Sequence, residues 1–325
     1  MADYRMLIRR TGGPETIEHE TITPTEPGIG EARVRQTAVG LNFIDTYQRS
    51  GLYPIELPSG MGSEAAGIVE AIGDGVEGIA VGDRVAYAGG PPGAYATVRT
   101  LDAALLVPLP DAISDEAAAG AMLKGGTAAY LIGPCAKVEA GQAVLVHAAA
   151  GGVGSILVQW LSAMGATVIA HAGSADKAAH AGTLGAAHAL SCPMDQLADE
   201  VRRLTDGAGV ATVFDGVGKA SWAASLGSVA RRGLIASYGN ASGAVPPVEM
   251  LALMRAGSIF VTRPTMADYT RTPAERRQLA ASLFDRIAAG AVNIRIGRRF
   301  PLRQAAEAQR AMEARETTGS TILLP

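Results

Sequence analysis

Cysteine is almost missing from this chain, and its scarcity removes two architectures at once. Cys135 and Cys192 are the only two in 325 residues, too few for a disulfide scaffold or a cysteine-rich structural zinc site. A reducing, cytoplasmic setting is the expectation. Histidine is also scarce, with five residues scattered at His19, His147, His171, His180 and His188. His147 and His171 are expected on buried strands as satisfied core groups rather than ligands. Charge of one sign is lacking too. The net charge is −3, and the pairs Arg202-Arg203, Arg231-Arg232, Arg276-Arg277 and Arg298-Arg299 are dispersed, which reads as solvated helix surface and speaks against nucleic-acid binding. Met1 to Gly13 has arginines at 5, 9 and 10 but no apolar run of signal-peptide length, so no export signal is expected. One stretch, Ala140 to Ala175, has no Asp, Glu, Lys or Arg, yet Gly151, Gly152, Gly154, Gly165 and Gly173 interrupt it. It reads as strand, turn, helix and strand of a parallel sheet buried on both faces, not as a membrane span.

What is present is glycine, 40 residues, in a chain that is 48% apolar and 18% charged. Such a composition describes a folded globular protein, and the length suggests two domains. From Met1 to about Met122, short β-rich runs alternate with Gly, Pro and Asp clusters, at Arg5-Ile8, Ala32-Val39, Gly67-Ile72, Arg84-Ala88 and Ala94-Val98. Between them, residues 42–51 read as a short helix with Asn42 as N-cap and Gly51 as the stop. From Leu123 strands alternate with helices, the pattern of βαβ units. Strands are expected near Ala143-His147, Thr167-His171, His188-Ser191, Ala211-Phe214, Gly233-Ser237 and Ser258-Val261, six in all. After Pro264 follow helices at Pro273-Ala289 and Gln304-Glu313, with strands at Val292-Ile296 and Ser320-Leu324. The expected fold is therefore α/β: a doubly wound parallel sheet, residues 123–262, inserted into a β-rich domain of residues 1–122 and 263–325.

The segment from Val144 to Gln159 runs strand, glycine turn, helix, the context a dinucleotide fingerprint requires. G-x-G-x-x-G is met as Ala149-x-Gly151-x-x-Gly154, in a turn made of Ala150, Gly151, Gly152, Val153 and Gly154. Gly151 lets backbone approach a pyrophosphate, Gly154 lets helix and strand pack, and the helix N-terminus offers N–H groups and a positive dipole end. At the end of the next strand the chain reads His171-Ala172-Gly173-Ser174-Ala175-Asp176-Lys177. Gly173 stands where an NAD enzyme would place a carboxylate on the ribose, and Lys177 supplies a cation about one turn on, which together predict NADPH. The competing reading has Lys177 decorating the helix and Asp176 turning back to the ribose.

These residues resemble the zeta-crystallin-like NADPH:quinone oxidoreductases, a zinc-free branch of the medium-chain dehydrogenase/reductase superfamily. The resemblance spans nearly the whole chain and rests on residues 40–45, 51–54, 62–67, 82–85, 148–154, 237–240 and 262–264. It implies a GroES-like substrate domain and cofactor contacts from Asn42, Thr127, Gly152, Val153, Gly173, Lys177, Val217, Tyr238, Asn240 and the segment at Arg263. It also implies a homodimer paired through Rossmann edge strands, with Ser258-Thr262 as the candidate edge. Two positions depart from the family. Ser162 replaces a basic residue on the glycine helix. Cys192 stands where relatives have a tyrosine at the adenosine phosphate, and a thiol cannot reproduce the donor of a phenol.

Zinc-dependent members of the superfamily take ligands at the places held here by Asn42 and by the motif beginning at Gly62, where the chain has Asn42 and Ser63. No metal site is expected. Without a Lewis acid, oxidising an alcohol is difficult, whereas an electron-poor quinone or enone needs a positioned reductant and hydrogen-bond donors. The expected activity is NADPH-dependent quinone reduction, by hydride or single-electron transfer. Asn42 would orient the nicotinamide or substrate, Tyr47 or Tyr53 would meet the developing oxyanion, and Asp45 would decorate the helix dipole in the first turn. An enone or alkenal reductase is the alternative within enzymes, and a non-catalytic NADPH- or RNA-binding protein the alternative outside them.

Overall fold

Alternation of buried and exposed residues builds the first half of the chain. In a computed structural model describing residues 2–325, the strand β3 (Glu31–Leu41) buries Ala32, Val34, Gln36 and Ala38 on one face, the period of two that a pleated strand imposes. Around it lie β1 (Tyr4–Ile8), β2 (Ile17–Thr21), β4 (Ser59–Gly60), β5 (Glu64–Ile72), β6 (Arg84–Ala88), β7 (Val98–Asp102) and β8 (Val107–Pro108). Helix α1 (Phe43–Ser50) follows β3, with Asn42 as N-cap and Gly51 at φ 84° as its left-handed C-terminal residue. Helix α2 (Asp115–Tyr130) comes after β8.

The second pattern, strand then helix, fills the middle of the chain: β9 (Ala143–Val146), α3 (Gly152–Ala163), β10 (Thr167–His171), α4 (Ala175–Thr183), β11 (His188–Leu190), α5 (Leu197–Leu204), β12 (Val210–Asp215), α6 (Trp222–Ser228), β13 (Val229–Ser237), α7 (Met250–Arg255) and β14 (Phe260–Thr262). The short α8 (Met266–Tyr269) follows. The chain then forms α9 (Pro273–Ala288), β15 (Ile296–Pro301), α10 (Ala305–Glu313) and β16 (Ser320–Leu324).

The described residues divide into two units, each with its own core. The first contains residues 2–126, Tyr269–Ala288 and Ile294–Pro325; the second contains Thr127–Asp268 and Ala289–Asn293. In the first, a seven-stranded sheet has the order β15-β16-β3-β5-β6-β8 with β7 on β3, and β2-β1-β4 form a smaller sheet. Its core gathers Met6, Val34, Met61, Tyr87, Tyr95 and Leu323 among others. In the second, six parallel strands run in the order β11-β10-β9-β12-β13-β14, the doubly wound order of a dinucleotide-binding sheet. The α/β class and the six-stranded parallel sheet agree with the sequence reading.

Three expected strands are displaced. The run Ala94-Val98 begins its ladder only at Val98, because Tyr95 and Thr97 spend their N–H groups singly on Met61 O and Tyr4 O. Val292-Ile296 is a loop until Ile296: the amide of Gln159 takes both the N–H and the carbonyl of Asn293, so that stretch has no strand partner. Ser258-Val261 starts at Phe260, since Gly257 (φ 108°) and Ser258 (φ 57°) are left-handed and cannot pleat. Strand β2 was not foreseen, because Glu18, His19 and Glu20 carry no apolar signal and form an exposed edge.

Candidate functional site

The glycine turn is built by close approach. Ala148, just beyond β9, is left-handed at φ 49°, and Gly151 caps α3 by position while donating to Ala148 O at 2.8 Å. A Cβ on Gly154 would stand 2.3 Å from Ala148 O and 2.9 Å from Ala149 Cα, both backbone atoms that cannot yield. Only glycine lets α3 pack this tightly on the strand end. No side chain caps α3 and its first turn has no acidic residue, so Gly152, Val153 and Gly154 begin a helix whose end favours an external anion. Ala149 and Ala150 are buried beneath it.

Every other expected cofactor residue of this unit except Thr127 follows the carboxyl end of a strand, the edge where open α/β sheets bind ligands. After β10 come Gly173, whose missing Cβ would touch nothing within 4 Å, and Ser174, whose Oγ accepts from the N–H of Lys177 at 3.4 Å to cap α4. The place of a ribose-binding carboxylate is thus left open, and Lys177 is fixed in the first turn beside it. Cys192 follows β11, with its carbonyl 3.0 Å from His171 Nε2 and its side chain against the apolar core. Burial, and then Glu200, push its thiol pKa up, so it is a poor candidate for a reactive thiolate. Val217 follows β12, Tyr238 and Asn240 follow β13, and Arg263 follows β14, with its Nη1 donating to Ser237 O at 2.8 Å. Glycine at 216 lets the Tyr238 ring lie close, since a Cβ there would meet it at 2.8 Å. Thr127 sits half-buried in α2, away from the strand ends in sequence.

A buried polar cluster lies at the same edge. Asp215, the last residue of β12, accepts from the N–H groups of Val217 (2.8 Å) and Gly218 (3.1 Å) and from the hydroxyls of Ser221 (2.7 Å) and Ser225 (2.6 Å). Burial opposes its ionisation, yet these donors hold its carboxyl below the ordinary range. Ser225 gives its one proton to Asp215, so its contact to His147 Nε2 at 2.9 Å makes the ring the donor. His147 is then neutral, in keeping with the lowered pKa that its burial imposes, and its Nδ1 has no hydrogen-bond partner. The expectation of a fully satisfied core histidine is corrected at that atom; His147 also lies one residue beyond the end of β9.

The remaining expected residues belong to the first unit. Tyr47 and Tyr53 pack edge to face with ring centroids 5.2 Å apart, and Tyr53 N donates to Tyr47 O at 3.0 Å. Asn42 is buried, and its side chain turns to another element: Nδ2 donates to Glu64 Oε2 at 2.7 Å. Lys124 Nζ reaches the same oxygen at 3.3 Å, and Leu123 N donates to Glu64 Oε1 at 2.6 Å. Glu64 is 0% and Lys124 7% exposed, so the pair is an internal salt bridge. Gly40 makes room for it, since a Cβ there would lie 2.2 Å from Glu64 Oε2.

Asp45 stands in the first turn of α1, at the helix end where an acid complements the dipole, but its burial was not expected. It is fully buried, with Oδ2 accepting from Asn42 N at 2.9 Å and from Tyr95 Oη at 2.8 Å, and Oδ1 unpartnered. Burial is the main cause that pushes its pKa up to about 7. Sequence reasoning also passed over Glu64, Lys124 and Asp215. A signal existed for Lys124, a lone cation amid apolar residues from Ala118 to Ala129, which a helix can bury only beside a partner. Among the described residues no group of three or more His, Cys, Asp or Glu is placed to hold a metal ion, and no helix is long and apolar enough to cross a membrane.

Comparison with known proteins fits this geometry. Residues 28–111 match the family described as alcohol dehydrogenase GroES-like domain, and residues 152–285 match that described as zinc-binding dehydrogenase. A quinone oxidoreductase of Pseudomonas aeruginosa is 49% identical over 99% of both chains. A 2-haloacrylate reductase of a Burkholderia species is 40% identical over 98% of both. The crystal structure of Escherichia coli quinone oxidoreductase complexed with NADPH superposes with a TM-score of 0.97 at 42% identity, covering 99% of this chain and 100% of that one. The chain belongs to the quinone oxidoreductase family of the medium-chain dehydrogenases/reductases.

Proposed function

We propose that the protein catalyses NADPH-dependent reduction of quinones. The observation that carries the reading is the uncapped N-terminus of α3 over a glycine turn, with the open position at Gly173 and a cation at Lys177 after the next strand. These residues fit a dinucleotide phosphate: the first-turn amides of α3 take the pyrophosphate, and Ser174 and Lys177 take the 2′-phosphate that a carboxylate at 173 would repel. The carboxyl-edge residues Cys192, Val217, Tyr238, Asn240 and Arg263, with Thr127 of α2, complete the binding set, and Asn42 orients the reacting end through its amide. Bound NADPH would supply a hydride from its nicotinamide. Tyr47 and Tyr53 present phenol donors to the oxygen that gains negative charge, and the protons of the quinol come from these groups or from solvent. Likeness to relatives named quinone oxidoreductases supports this choice of acceptor.

Reduction of an activated carbon–carbon double bond is the second reading, favoured by the 40% identical 2-haloacrylate reductase. Anaerobic oxidation of NADPH with a panel of 1,4-quinones, 2-alkenals and saturated aldehydes separates the two. Turnover confined to quinones supports the first; turnover confined to alkenals supports the second. We further propose a cytoplasmic homodimer paired along β14. Phe260 on that strand is 62% exposed and Met250 on the preceding α7 is 75% exposed, an apolar edge suited to burial against a second copy.

A further inference from the structure

The contacts around Glu64 reach further than packing. Three donors converge on its carboxylate, from Asn42 Nδ2, Lys124 Nζ and Leu123 N. A carboxylate can only accept, so the Asn42 amide is held with its nitrogen toward Glu64 and its oxygen turned away. Lys124 supplies the one formal charge in direct contact with Glu64, from a helix whose other buried side chains are alanines, Met122 and Tyr130. Such a buried pair is an expensive way to hold a fold together, since an apolar pair of similar volume is often as stable.

We propose that Lys124 is a positioning residue for the reaction. It anchors the Glu64 side chain through the salt bridge, and Glu64 in turn fixes the Asn42 amide in the one orientation that presents its oxygen to the nicotinamide. The inference rests on the reading above that Asn42 contacts the cofactor. It adds that the contact is set by a salt bridge reaching Asn42 from another element, α2. Lys124 and Asn42 then act as one unit, and their substitutions are not additive.

The test is a double-mutant cycle on NADPH binding, read by fluorescence titration of the protein without acceptor, with kcat and KM for a quinone measured beside it. Asn42→Ala and Lys124→Met are each expected to weaken NADPH by about tenfold, the size of one hydrogen bond to an ionic network. The double variant is expected to match Asn42→Ala alone. Because Lys124→Met leaves a buried carboxylate without its cation, Glu64→Gln/Lys124→Met is measured too. That neutral pair is expected to keep the wild-type melting temperature and still lose NADPH affinity. Additive losses in the cycle, or wild-type affinity in the neutral pair, would overturn the role of Lys124. Should Asn42→Ala itself bind NADPH normally, the reading of Asn42 as a cofactor contact fails, and the inference falls with it.

Discussion

The phenol of Tyr95 lies 2.8 Å from Asp45 Oδ2, inside the first unit and wholly out of solvent. Burial pushes the Asp45 pKa up to about 7 from 3.8, so the unfolded chain gives up this proton at lower pH than the folded one does. The contribution is therefore full below about pH 4 and is lost as pH rises through about 7. At about 1.4 kcal/mol per pH unit the loss is at most about 4 kcal/mol. Asp45→Asn removes the titration, and its melting temperature is expected to gain on the wild type by several degrees between pH 4.5 and pH 8. Parallel melting curves across that range would contradict the assignment.

Gly154→Ala tests the turn. The added methyl collides with the backbone of Ala148 and Ala149, which forces α3 away from the strand end. A loss of about 1–3 kcal/mol in stability is expected, with NADPH affinity falling further as the α3 amides move. Thermal unfolding and NADPH titration check the two parts separately. Gly173→Ala, where a Cβ meets nothing, should leave stability unchanged.

Lys177→Glu tests cofactor choice. Reversing the charge in the first turn of α4 is expected to weaken NADPH at least about tenfold while NADH changes less than about twofold, because only the former carries the 2′-phosphate. Equal loss for both cofactors would return Lys177 to the helix surface.

Tyr47→Phe combined with Tyr53→Phe keeps both rings and their edge-to-face contact while removing the two donors. With quinone as acceptor, kcat is expected to fall about tenfold or more, with NADPH affinity unchanged. Undiminished turnover would assign the proton to solvent alone.

Phe260→Lys places a charge on the exposed edge strand of the parallel sheet. Sedimentation of the variant is expected to show a monomer where the wild type sediments as a dimer. A variant that sediments with the wild type would remove β14 from the interface.

Much of this protein is legible in its sequence where local physics decides. Thr167–His171 and Ser320–Leu324 match their expected strands in full, because β-branched residues bounded by turns leave one reading. The glycine turn was legible because backbone crowding at Gly154 admits no other residue. The pairs Asn42–Glu64 and Lys124–Glu64 were not, since they join positions 22 and 60 residues apart that carry no mutual pattern. The burial of Asp45 was hidden for a similar reason: an acid in a first helical turn carries no sign of the contact that Tyr95 makes from 50 residues on. Strand starts failed where left-handed residues such as Ser258 replaced a pleat, a conformation that composition does not announce.

The most direct measurement of the central claim is anaerobic oxidation of NADPH by the purified wild-type protein with 1,4-quinones, 2-alkenals and saturated aldehydes in parallel. The account predicts rapid oxidation with quinones, little with alkenals and none with saturated aldehydes, and slower rates when NADH replaces NADPH. Tight NADPH binding without oxidation by any quinone would contradict it.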